Sequence, residues 1–239
     1  MKKKILVACL CVALAVLTIA GTTLAYLTST AKVTNTFTVG NVSIKLDEAK
    51  VTELGEVATP AERVDKNTYK LLPGLTYTKD PTVTVLKGSE ESYVRLKVTF
   101  NNANEIIALC TDPEFADEVT GVENAFPLIR MVNFVEANAA KWDGIIPDNM
   151  VETDEMLDNA KYFVKEGNTL TYYFYYNEKV GAAGDNVALP VLFNSITIPE
   201  WATGAQLAAL KNFKIDVVAE AIQADGFANA DAAWAAFAN

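Results

Sequence analysis

The chain has 239 residues, with 20 lysines and arginines, 30 aspartates and glutamates, and no histidine. A net charge of −10 repels phosphate backbones and anionic lipid headgroups, which argues against binding nucleic acid or adsorbing to a membrane surface. Without an imidazole, neither an H-E-x-x-H zinc site nor a triad with a histidine base can be built.

Three lysines, Lys2, Lys3 and Lys4, precede an unbroken apolar run over residues 5–20, the charge-then-apolar order of a secretory signal. As a helix the run would be about 24 Å long, short of a hydrocarbon core of about 30 Å, so removal is favoured over a retained anchor. Thr23-Leu24-Ala25 offers small residues where a signal peptidase inspects them, which places the cut after Ala25 and makes Tyr26 the new N-terminus. Leu6-Val7-Ala8-Cys9 spells a lipoprotein box, but a lipid-modified cysteine should follow the apolar run, and here the run continues past it. Cleavage takes Cys9 and Cys11 with the leader and deepens the net charge to −13. Cys110 is then the only cysteine, so no internal disulfide forms. The expected mature chain, residues 26–239, is long enough for a single core.

After the leader, Phe37 and Val39 fall on odd positions, whereas Val42, Ile44 and Leu46 fall on even ones. A continuous strand cannot change phase without flipping its buried face. Gly40 therefore marks a bulge or break between an N-terminal arm, residues 26–39, and a strand predicted over 42–46. Thr82-Val83-Thr84-Val85 alternates, as does the run from Val94 to Phe100, and the polar stretch 87–92 between them reads as the loop of an antiparallel pair. Pro73-Gly74 and Pro199 punctuate the strands.

Residues 104–149 are less regular. A helical turn at 105–109 stands beside Asp112-Pro113 and Ile146-Pro147 breaks, and the segment reads as a long irregular insertion. Leu170, Tyr172, Phe174 and Tyr176 define a further strand, and Phe213, Ile215, Val217 and Ala219 another. Asn229 is placed to cap a short C-terminal helix that sets Trp234 and Phe237 on one face. Such a helix is marginal alone, so its aromatics are expected to dock on the sheet. Short strands without a βαβ rhythm predict an all-β fold, an antiparallel β-sandwich.

The leader, the Thr-x-Ala-Tyr junction and Asn35-Thr36-Phe37-Thr38-Val39-Gly40-Asn41-Val42 resemble an export signal processed by a SipW-type signal peptidase of Gram-positive bacteria. Leu72-Pro73-Gly74, residues 79–85 and 93–98 resemble early strands of the TasA/camelysin family, and 192–199 and 215–227 are similar to the second half of its domain. That resemblance implies a jelly-roll-like sandwich, a secreted structural role in biofilm matrix or at the cell surface, and fibres in which the freed arm completes the next subunit's sheet. The expected partners are therefore the signal peptidase and further copies of this chain, with membrane contact only before cleavage. Ala25 and Tyr26 are the cleavage residues, and Val33, Phe37, Val39 and Gly40 belong to the assembly arm. Ordering the arm costs about 1–2 kcal/mol per residue in backbone entropy, so its order depends on finding a sheet edge. The competing reading is that the arm pairs within its own domain.

Two other classes remain in view. Tyr173 and Tyr175, in the run 172–176, are candidate ligand-facing aromatics for a carbohydrate- or surface-binding module, against a bland reading as core packing. The camelysin branch carries a metalloprotease label, and Cys110 reads as a small buried hydrophobe rather than a nucleophile. No cofactor is expected. Asp148, Glu152, Asp154, Glu155 and Asp158 form an acidic cluster with the ligand type for calcium, but it lacks the glycine-centred loop of a dedicated site and reads more simply as a solvated face.

Overall fold

Alternation of apolar side chains dictates a long central strand, and the computed structural model, which describes residues 40–111, 126–146 and 159–237, contains one. The strands of the first half are β1 (Ile44–Ala49), β2 (Arg63–Val64), β3 (Thr76–Thr78), β4 (Thr82–Val85) and β5 (Ser89–Asn101). A helix, Ala103–Cys110, follows, then the helix Phe126–Met131, β6 (Val132–Phe134), the helical turn Glu136–Ala139 and β7 (Trp142–Asp143). The second half holds β8 (Phe163–Glu166), β9 (Thr169–Tyr176), β10 (Val180–Ala182), β11 (Val187–Ala188) and β12 (Phe193–Thr197). The helix Gly204–Ala209, β13 (Ile215–Gln223) and the helix Ala230–Phe237 complete the described residues. Every strand pairing among the described residues is antiparallel, so the fold is all-β as the sequence predicts. Gly40–Asn239 is a compact unit of its own.

β5 organises the largest sheet. β13 pairs along one side from Ser92 to Phe100, while β9 and then β10 take the other, and β8 and β7 extend β9. The other sheets run β11-β4-β1-β2 and β3-β12-β6. Val94, Leu96, Val98 and Phe100 of β5 and Leu170, Tyr172 and Phe174 of β9 are all fully buried, and share one core with Val83, Val85, Phe193 and Ile196. Ile106, Leu109 and Cys110 close it from the helix Ala103–Cys110. Burial pushes the Cys110 thiol up to about 12, far from a nucleophile's range.

Two boundaries and one pairing differ from expectation. The first strand is Ile44–Ala49, not 42–46, and Gly40 lies outside it. Residues 89–92 are not a loop: they begin β5, because the Ser89 hydroxyl donates to Ser43 O and the Ser92 hydroxyl to Val180 O, which satisfies them inside the fold. β4 and β5 also lie in different sheets rather than forming a pair. Within 104–149, β6 pairs with β12 and Trp142, Ile145 and Ile146 are buried, so much of this insertion is core. No helix among the described residues is long and apolar enough to cross a membrane.

Candidate assembly groove

Antiparallel ladders point successive backbone N–H and C=O groups to opposite sides, so register shows which edges are open. Asn101 N–H donates to Lys214 O, and Ala224 N–H to Glu91 O. With the register of β13 on β5, Asp216, Val218, Glu220 and Ile222 bond to β5. The backbone groups of Ile215, Val217, Ala219 and Ala221 therefore face away, and β13 has no second ladder among the described residues. Similarly, Leu86 N–H donates to Ser43 O, which directs Ser43, Lys45 and Asp47 towards β4. Ile44 and Leu46 face the opposite side, which β2 occupies only from Glu48 onward.

These open stretches border a cavity of about 810 Å³ whose lining includes Leu46, Tyr69, Tyr77, Ile196, Ile215 and Val217. Some Cα atoms of β1 and β13 come within 8 Å. Two strands flanking a third stand about 9.6 Å apart, so admitting one requires these edges to part locally.

The apolar lining is interrupted by charge. Lys79 Nζ is 2.8 Å from Glu48 Oε2, with the side chains only 11% and 8% exposed. Asn67 donates through Nδ2 to Glu48 Oε1 at 3.0 Å and to Ala49 O at 2.8 Å. Burial, then the Glu48 charge, raises the Tyr69 phenol far above its ordinary value.

Beside the groove, Arg63 clamps β1 to β4. Its guanidinium donates to the Asp47 carboxylate, to Asp80 Oδ2 at 2.8 Å and to Thr82 Oγ1 at 2.7 Å. Burial pushes the Asp47 carboxyl up, but hydrogen bonds and charge from Lys45 and Arg63 outweigh it and hold the group below its ordinary 3.8. A carboxylate depressed in the folded state stabilises the fold above the unfolded value, and that contribution is lost as pH falls through the folded value. The thermal midpoint should thus decline as pH drops below 3.8, and Asp47→Asn should flatten that part of a calorimetric pH series.

The residues singled out in sequence are placed unevenly. Ala25, Tyr26, Val33, Phe37 and Val39 lie outside the described residues, as do the five acidic residues 148, 152, 154, 155 and 158. Gly40 is exposed, and a Cβ there would lie 3.2 Å from Glu90 Cγ. Tyr173 is half-buried on the outer face of β9. Tyr175 is a correction to the ligand-facing expectation: it is 9% exposed, because the helix Ala230–Phe237 covers it with Trp234, ring centroids 5.8 Å apart. Glu48 and Lys79 were not singled out. The signal was present in Ile44-Lys45-Leu46-Asp47-Glu48, where an acid continues the phase of the inward Ile44 and Leu46. No cluster of three or more metal-ligating side chains occurs among the described residues.

The fold and groove define an all-β protein of antiparallel sheets with open strand edges facing a shared cavity. Residues 1–72 match the family described as camelysin metallo-endopeptidase, consistent with the TasA/camelysin resemblance; the segments 79–85 and 93–98 lie beyond the matched residues. No curated protein and no solved structure matches the chain.

Proposed function

We propose that this is an exported structural protein of the TasA type, acting in the extracellular matrix or at the cell surface, whose arm 26–39 adds as a strand to a second copy. Cleavage after Ala25 by a SipW-type signal peptidase would free that arm. The observation that carries the reading is the cavity between the unpaired stretches of β1 and β13, since an added strand gains main-chain hydrogen bonds on both sides and buries alternate side chains below. The lengths are compatible once the edges part: the arm extends about 46 Å at 3.3 Å per residue, and residues 215–221 span about 20 Å. Val33, Phe37 and Val39 share one phase and present apolar side chains to the same face. A peptidase role has less support, because the family description names one but this chain has no histidine to ligate zinc.

The test compares three purified proteins by electron microscopy and size exclusion: the uncut chain, the chain from Tyr26, and the chain lacking 26–39. Filaments or oligomers should form only from Tyr26 onward. Unchanged oligomers after deletion of the arm would overturn the reading. Arm residues protected within a stable monomer would assign the arm to its own domain.

A further inference from the structure

The buried ion pair in the groove is out of place if the cavity simply receives an apolar strand. Lys79 Nζ can donate three hydrogen bonds, and its one described side-chain partner is Glu48. Both Glu48 oxygens are already engaged, by Lys79 and Asn67. In the open groove, water can meet the remaining Lys79 donors. Once a strand fills the groove and excludes water, those donors need an acceptor or the assembly is penalised.

The arm's inward phase, set by Val33, Phe37 and Val39, runs Leu27, Ser29, Ala31, Val33, Asn35, Phe37, Val39; Asn35 is the only amide in that series and the only polar residue between the apolar Val33 and Phe37, with Ser29 six residues away and outside them. We infer that Asn35 of one copy accepts a hydrogen bond from Lys79 of the next, and that this contact fixes the register of the added strand. The inference rests on the strand-addition reading above. A slip by two residues keeps the strand's apolar phase, but it brings Val33 or Phe37 to the Lys79 ammonium and leaves its donors unmet. A single polar residue within an apolar interface can choose one alignment among several in this way, at a cost in stability.

The experiment uses the chain from Tyr26 and measures the critical concentration for assembly by sedimentation, with filament regularity read by electron microscopy. Changes in the arm leave the groove intact, so Asn35→Leu is the central variant. Thr34→Leu, one residue out of phase, controls for added hydrophobicity, and Phe37→Asp tests strand addition itself. The expected result is a critical concentration raised about tenfold by Asn35→Leu, with irregular polymers, and little change from Thr34→Leu. In a Glu48→Leu/Lys79→Met body, with both charges removed together, the preference should reverse so that leucine at 35 assembles better than asparagine. Asn35→Leu assembling as well as the unaltered arm would overturn the register role, even if the double-substituted body fails to fold. If Phe37→Asp also assembles normally, strand addition itself has failed.

Discussion

Val217→Pro is expected to leave a folded monomer that no longer assembles, whereas Val218→Pro, one residue along the same strand, should damage the fold itself. The difference comes from the ladder. Val218 N–H faces β5 opposite Lys97, so proline there removes a central ladder hydrogen bond and leaves the Lys97 carbonyl without its partner, a loss of about 1–3 kcal/mol before ring strain. For a unit of this size that lowers the thermal midpoint by roughly 2–12 °C. Val217 N–H faces the open side, where proline is tolerated as it is on edge strands generally. What Val217→Pro does remove is a donor that an incoming strand requires, and its ring obstructs close approach. Val217→Ala keeps the N–H while trimming the side chain, and should still polymerise at a higher critical concentration. Sedimentation paired with thermal melts separates the outcomes. Normal filaments from Val217→Pro would show that this edge receives nothing.

Such a test was not suggested by the sequence, and the reason is physical. Alternation reports which side chains of a strand are buried, and in β5 and β9 it does so correctly because both strands lie inside one sheet with a core on one face. It does not report which strands are neighbours. The groove exists because Ile44 and Leu46, near the front of the described chain, and Val217, near its end, have partners on one side only, a property of strand order. Local composition misled at 89–92, where serines look like a loop until Ser43 and Val180 accept their hydroxyls. It misleads again at Tyr175, which alternates with the buried Phe174 yet is itself buried, because its covering helix lies more than fifty residues away in sequence. The capping of that helix was legible, since Asn229 Oδ1 accepts Ala232 N–H at 2.9 Å. Glu48 shows the reverse case, a local signal whose meaning appears only when Lys79 and Asn67 are brought beside it.

Trp234→Ala should release the helix Ala230–Phe237 while leaving the rest of the fold cooperative. The helix has eight residues, too few to persist alone, and only Ala233 and Trp234 are buried. Its docking depends on a stack: the Arg95 guanidinium lies 4.4 Å from the Trp234 ring centroid, 5.0 Å from Tyr173 and 5.2 Å from Phe237, and is held in place by Glu220 at 2.6 Å. Deleting a buried tryptophan costs about 3–5 kcal/mol when the surroundings cannot collapse, more than a helix this short can lose and remain attached. Lys161 to Asp231, at 3.3 Å between partly exposed groups, is too weak to hold it. Detachment has two readouts. Chymotrypsin should cut at Phe227 faster than in the unaltered protein, with the thermal midpoint of the sheets little changed. The Tyr175 phenol, raised by burial beneath Trp234, should titrate closer to its ordinary 10. Trp234→Phe, which keeps a ring over Arg95, should protect Phe227 substantially better than alanine. If alanine instead lowers the midpoint of the whole unit by several degrees without faster local cleavage, the helix is part of the cooperative core. Its docking and the stability of the β5–β13 pair, whose Arg95 and Glu220 it covers, are then one equilibrium, and loosening this helix would weaken the edge that the groove depends on.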